Sequence, residues 1–157
     1  MTAPAWHLAQ INIARARGPM DGPVMAEFVA ALDEINALAE ASPGFVWRLK
    51  DESGNATALR AFPDPQMLVN MSVWADIAAL QHYVYRTMHG RFFARRQEWF
   101  EQLEHAHMAL WWIPAGHVPT TDEAKQRLDL LEQNGPGPAA FTFRQSFPPP
   151  APAASQP

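Results

Sequence analysis

Residues 107–124 read "HMALWWIPAGHVPTTDEA", a strand that runs through a proline-bracketed turn into a helix. Successive side chains of a strand point to opposite faces. Trp111 therefore goes with Ala109 and Ile113, and Trp112 with Met108 and Leu110. The small and aliphatic companions assign Trp111 to the face under the helices and leave Trp112 for the opposite, dimer-facing side. After the turn, Thr120 and Glu123 have the spacing of a capping box, in which each side chain bonds the other residue's amide. Leu128 and Leu131 continue that helix, and Gly135 in "NGPGP" is placed to end it with a positive φ.

Working back along the chain, "MLVNMSVW" (67–74) alternates, with Val69, Met71 and Val73 against Leu68, Asn70, Ser72 and Trp74. "HLAQINIARA" (7–16) does the same, with Ala9, Ile11 and Ile13 against Leu8, Gln10 and Asn12. "GFVWRL" (44–49) is a further strand, and "DESGN" after it a turn. Between the first two strands, Val24, Phe28, Leu32, Ile35 and Ala39 fall at helical spacing, with Asp21 as a candidate cap and "SPG" at 42–44 as a stop. A long helix is expected over 75–103, where Ile77, Leu80, Val84, Met88, Phe92 and Trp99 form its apolar stripe and Gly90 interrupts it. "AFTFRQSF" (140–147) suggests a last short strand.

The order strand, helix, strand, strand, helix, strand is the ferredoxin-like βαββαβ arrangement, an α+β fold, here with a C-terminal helical extension. It predicts a single domain over 1–147. Residues 148–157 hold five of the chain's 15 prolines and are expected to form a disordered tail. Both helices of such a sheet lie on one face. The other face would carry Gln10, Asn12, Asn70, Ser72, Trp74 and one of Trp111 or Trp112, a mixed polar and aromatic set too apolar to leave in water. A second copy of the chain is the simplest cover, so a homodimer is expected.

Composition excludes several functions. The chain has 157 residues, no cysteine and a formal net charge of -4. Disulfide scaffolds, thiolate nucleophiles and zinc-cysteine sites are ruled out. Lysines and arginines are scattered, so no basic stripe is present to hold nucleic acid. No apolar run approaches the roughly 20 residues of a membrane span. "MTAPAWHLAQ" lacks the basic start and apolar stretch of a signal peptide, and a cytoplasmic location is expected. No phosphate loop, dinucleotide fingerprint or nucleophile elbow occurs; "GPGP" at 135–138 has proline where phosphate-cradling amides are needed.

The stretches "LAQINI", "INALAEASPGFVWRL", "VNMSVW", "YRTMHGRFFARRQEWF", "LWWIPAGHVPTTDEAKQRL" and "AFTFR" resemble the bacterial family catalogued as domain of unknown function 3291, over about residues 6–147. That family is similar to the dimeric α/β barrel superfamily of antibiotic-biosynthesis and haem-degrading monooxygenases. The resemblance implies a dimeric barrel with a pocket between sheet and helices in each subunit. Haem-degrading members carry an Asn late in the first strand, a Trp on the second helix and a His further along it. Asn12 fits loosely, Tyr83 stands near the Trp position, and His89 lies only six residues beyond it, a departure from the pattern.

Three groups of residues bear on chemistry. His82, Tyr85, Arg86, His89 and Arg96 share one side of the expected long helix, a stripe able to hold an anionic or phenolic substrate and transfer protons. A solvated helix face is the competing account, and the commoner one. His105 and His107 are two apart, so they would point the same way on a strand and suit a metal, but no third ligand follows; a surface pair is the simpler reading. Gln10, Asn12, Arg48, Asn70 and Ser72 place polar groups in strands, where they either bond one another or orient a ligand.

These expectations assemble into a small-molecule enzyme or binding protein, in the first instance a cofactor-independent monooxygenase acting on an aromatic or polyketide-like compound. His89, His82 and Tyr85 are the acid–base candidates. Gln10, Asn12, Arg48, Asn70, Trp74, Tyr83, Arg86, Arg96, Trp112 and His117 are the candidate substrate contacts. No metal or cofactor is expected. The alternatives are a haem protein with His89 as axial ligand and a non-catalytic dimeric binding module.

Overall fold

A computed structural model describes residues 6–19, 21–50, 67–86, 95–101 and 106–150. Its elements are β1 (Trp6–Ala16), α1 (Ala26–Ala41), β2 (Phe45–Arg48), β3 (Met67–Trp74), α2 (Ile77–Arg86), α3 (Arg96–Trp99), β4 (Phe100–Glu101), β5 (Met108–Pro114) and α4 (Thr121–Asn134). β1 is the axis of an antiparallel sheet. β3 runs along one side of it and carries β2 at its outer edge; β5 pairs with residues 6–12 on the other side, and the short β4 pairs with Arg15 and Ala16. The order β5–β1–β3–β2 with two crossover helices is the ferredoxin-like α+β fold that the sequence predicts.

The register divides the sheet's two faces as expected. Ala9, Ile11, Ile13, Val69, Met71, Val73, Ala109, Trp111 and Ile113 form one buried cluster, and Leu8, Trp74 and Leu110 belong to another with Trp112 packed against it. What covers each face is the reverse of the expectation. The purely apolar face, with Trp111, is completed by Ala124, Leu128 and Leu131 of α4. The polar and aromatic face lies under α1 and α2, against Ala39, Leu80, Tyr83 and Val84. The apolar face looked like the place for the crossover helices, yet it is the extension helix that packs on it, along β5 and β1. The need for a second chain to cover the polar face, which was the sequence's case for a homodimer, therefore falls away.

Local chemistry explains the boundaries. Met25 is the N-cap of α1 and makes no side-chain cap bond, so Asp21 is not the cap. Met25 is fully buried beside Ala16 and Trp99, and this packing starts the helix. α1 ends where Ser42 Oγ donates to Leu38 O at 2.7 Å and Gly44 takes φ +84°. Gly44 O accepts from Ala75 N at 2.7 Å, and a Cβ on Gly44 would stand 2.5 Å from the Ala79 Cβ. Glycine is required there for both conformation and space.

The long helix expected over 75–103 is divided. α2 begins after Asp76, whose Oδ1 accepts from Ala79 N at 2.8 Å, and its described part ends at Arg86. α3 is a separate four-residue helix, and residues 100–101 are already extended. Trp99 O accepts from Arg17 N at 2.8 Å, and the Phe100 ring meets Phe28 edge-on at 5.0 Å. Burial of Trp99 and Phe100 against β1 and α1 outweighs helical periodicity here. Gly90 lies outside the described residues.

At the other end, Thr120 Oγ1 accepts from Glu123 N at 3.1 Å, so half of the capping box forms. The reciprocal half does not, because the Glu123 carboxylate is taken by Trp111 and His117. α4 stops at Gly135, φ +73°, whose N–H reaches Leu131 O at 2.9 Å, as its spacing predicts. The last strand expected over 140–147 shrinks to two isolated bridges, Gly137 with Ala140 and Leu110 with Phe141, the latter pair exchanging backbone hydrogen bonds of 2.8 and 2.9 Å. That pair still covers the outer edge of β5.

Candidate functional site

The face beneath α1 and α2 is laid out in rows across β5, β1, β3 and β2. Trp112, Leu8, Trp74 and Phe45 form the first row, Leu110, Gln10, Ser72 and Arg48 the second, and Met108, Asn12 and Asn70 the third. Beyond them Leu68 joins a separate cluster with Ala16, Met25, Phe28, Trp99 and Phe100. A polar strip thus crosses the sheet between two apolar clusters. A buried polar group without a partner costs about 1–3 kcal/mol, so the strip must be satisfied or used.

Most of it is satisfied internally, and the way it is done gives it a direction. Gln10 is 5% exposed. Its Nε2 donates to Asn70 Oδ1 at 2.6 Å and to Ser72 Oγ at 2.8 Å. The Trp74 indole Nε1 also donates to Ser72 Oγ, at 2.8 Å. Ser72 Oγ accepts twice, so its own hydrogen is left to donate. Asn70 Oδ1 is committed to Gln10, so the exposed Asn70 has its Nδ2 hydrogens left to donate. The strip therefore terminates in donors, a pattern suited to a carbonyl or an anionic oxygen.

Two further groups frame it. Arg48 has a largely buried side chain and donates from Nε to Glu40 Oε2 at 3.1 Å. Tyr83 stacks on Trp74 at 5.1 Å between ring centroids, and its hydroxyl donates to Ile35 O at 3.2 Å. Burial pushes the Tyr83 phenol far above its ordinary range, against the opposing pull of Arg48. Tyr83 is thus a fixed donor and wall rather than a base.

An open cleft of about 430 Å³ adjoins Met108 in the third row. Tyr85, His107, Phe143 and Arg144 also line it, and Tyr85 meets Phe143 edge-on at 5.8 Å. Volumes of this order suit small ligands. Met108, Phe143 and Arg144 were not among the site residues read from sequence, and His107 entered only in the weak metal pair with His105. Phe143 and Arg144 reach the cleft only because the C-terminal segment folds back along β5, which no local pattern announces.

The structure thus gathers Gln10, Asn12, Arg48, Asn70, Trp74 and Tyr83 on one sheet face, with Tyr85 at the adjoining cleft. His82 is exposed on α2. Arg96 sits on α3, so the single stripe from His82 to Arg96 does not form on one helix. His89 and His105 lie outside the described residues, as does the side chain of Arg86. Trp112 is on the same face but donates its indole N–H to Phe147 O at 2.9 Å.

His117 is elsewhere, at the start of α4. Its Nε2 lies 2.7 Å from Glu123 Oε1, while Trp111 Nε1 donates to Glu123 Oε2 at 2.9 Å. Burial raises the Glu123 pKa, but the hydrogen bonds from His117 and Trp111 outweigh it and hold the carboxyl below its ordinary value. Among the described residues no group of three or more His, Asp or Glu side chains is placed to hold a metal ion. No helix among them is long and apolar enough to cross a membrane.

A ferredoxin-like sheet with a donor-ended polar strip under its crossover helices defines the class of domain. The chain belongs to the family described as "Domain of unknown function (DUF3291)", whose model matches residues 7–156. No curated protein matches it. Solved structures of similar fold include SnoaB, a cofactor-independent oxygenase from Streptomyces nogalater, at 16% identity and a TM-score of 0.45, covering 73% of this chain and 97% of that one. A protein of unknown function from Nitrosomonas europaea is 19% identical with a TM-score of 0.43, covering 73% and 96%. A putative antibiotic biosynthesis monooxygenase from Chloroflexus aurantiacus J-10-fl is 13% identical with a TM-score of 0.42, covering 73% and 98%.

Proposed function

We propose that the chain is a small-molecule enzyme of monooxygenase type, working without a cofactor on an aromatic compound that carries a phenolic or enolic oxygen. The observation that carries this reading is the Gln10–Asn70 hydrogen bond, which turns donors outward from an otherwise apolar sheet face. In cofactor-free oxygenation the substrate supplies the electrons. Its oxyanion is the electron-rich form that reduces dioxygen; one oxygen atom then stays on carbon and the other leaves as water. The protein's task is to bind the ring and stabilise that oxyanion with preorganised donors.

In this reading the aromatic body lies against Met108, Phe143 and Tyr85, and its oxygen meets Asn70 Nδ2, with Asn12 beside it and Arg48 supplying positive charge. His82, Tyr85 and His89 remain the candidate acid–base residues.

An oxygen electrode with a panel of phenols and enolisable polycyclic ketones, with no flavin, haem or metal added, tests the activity. Oxygen uptake that Asn70→Ala and Arg48→Gln depress is the expected result. No uptake across the panel, or uptake only with haemin present, contradicts it.

A further inference from the structure

Trp112 donates its indole N–H outside the sheet, to the backbone oxygen of Phe147, at 2.9 Å. Phe147 is followed by Pro148, Pro149 and Pro150. A residue before proline favours extended backbone, and a proline run presents carbonyls that have no partners of their own. An aromatic ledge that offers a donor to such a carbonyl is how proline-rich segments are recognised between proteins. The same chemistry is present here within one chain.

The surroundings match. A cleft of about 460 Å³ is lined by Asp76, Ile77 and Trp112 from the domain and by Phe147, Pro148 and Pro149 from the tail. The Phe147 ring lies 5.9 Å from Phe141. Phe141 itself is fully buried and exchanges two backbone hydrogen bonds with Leu110. Phe147 and the prolines have a ligand's mode of attachment instead, with one aromatic anchor, one hydrogen bond and apolar rings beside an open cleft. We propose that the ledge formed by Trp112 beside Ile77 is a docking site for a proline-rich segment, and that its occupant is this chain's own residues 147–149, held as a releasable latch.

The test uses the full chain and a synthetic peptide of residues 145–153, QSFPPPAPA, followed through the Trp112 indole N–H resonance, which Trp112→Phe assigns. A tethered occupant competes at high effective concentration, so the peptide should bind the wild-type chain at least about tenfold more weakly than the Pro148→Ala/Pro149→Ala/Pro150→Ala variant. Phe147→Ala, which removes the anchor and leaves the buried core intact, should open the cleft in the same way. In both variants the bound peptide should return the indole resonance towards its wild-type position, and adding Trp112→Phe to either should weaken peptide binding. Equal affinity for wild type and variants, binding that survives Trp112→Phe unchanged, or no binding to either opened variant would overturn the proposal.

Discussion

Gln10 and Ser72 face each other across β1 and β3, and the Ser72 oxygen takes hydrogen bonds from both Gln10 Nε2 and Trp74 Nε1, each at 2.8 Å. Two buried donors thus depend on one hydroxyl. Ser72→Ala strands the Trp74 indole N–H and one of the two Gln10 amide hydrogens, the other keeping Asn70 Oδ1, and should cost about 1–3 kcal/mol for the indole, the scale of one unsatisfied buried group, and less for the amide. Gln10→Leu in the Ser72→Ala background removes one of the stranded donors and should recover part of the loss. Urea midpoints of the single and double variants check both statements.

Glu123 supports a pH prediction. Its folded-state pKa lies below the ordinary value of 4.5, so its contribution is fully present above that value and is lost as pH falls through the lower, folded one. The melting temperature should therefore fall on acidification below the ordinary carboxylate range. Glu123→Gln should be less stable at neutral pH and should lose less on acidification than the wild type. Thermal melts across that range measure the difference, and parallel curves for the two proteins would contradict it.

Trp111→Phe probes one arm of the same cluster, because phenylalanine keeps a ring in the apolar core but cannot donate to Glu123 Oε2. A hydrogen bond to a charged group contributes about 1.5–3 kcal/mol. Loss of the larger indole ring adds to the cost. Chemical denaturation should show this variant destabilised, with the dependence on acid pH reduced as well.

Gly44 and Gly135 both have positive φ, but only Gly44 is crowded, since a Cβ at Gly135 would meet nothing within 4 Å. Gly135→Ala should cost about 1–3 kcal/mol for the backbone alone, because φ +73° with ψ 179° is a region nearly reserved for glycine. Gly44→Ala adds the clash with Ala79, and overpacking adds about 1–3 kcal/mol more. The difference between the two unfolding free energies measures the approach of α2 to the α1–β2 turn.

The sequence's legibility followed the range of the interactions involved. Alternation in 7–16 and 67–74 gave the strands, and parity paired Trp111 with Ala109 and Ile113 and Trp112 with Leu110, as observed. Parity cannot say which face an extension helix will seal. That depends on Leu128 and Leu131 meeting Trp111 across the fold, so the two faces were interchanged. Helical spacing carried the long helix too far, because Trp99 and Phe100 answer to Ala16 and Phe28 rather than to their neighbours in sequence. The polar strip was legible as Gln10, Asn12, Asn70, Ser72 and Arg48, since amides are uncommon in strands. The cleft residues Phe143 and Arg144 were not, because a backward fold of the C-terminal segment brings them there.

The central claim is that the donor-ended strip around Gln10 and Asn70 binds a small aromatic molecule. Its most direct test is ligand capture from a small-molecule extract, read by native mass spectrometry, on wild type and Asn70→Ala side by side. Asn70→Ala also takes one acceptor from the buried Gln10 amide and should cost about 1–3 kcal/mol, so capture is read well below the variant's own urea midpoint, where it is folded. An oxygen-bearing aromatic compound should be retained by wild type and lost, or bound about tenfold more weakly, by Asn70→Ala, the equivalent of about 1.4 kcal/mol. Capture of the same compounds by both proteins at equal occupancy, or of none by either, would contradict the account.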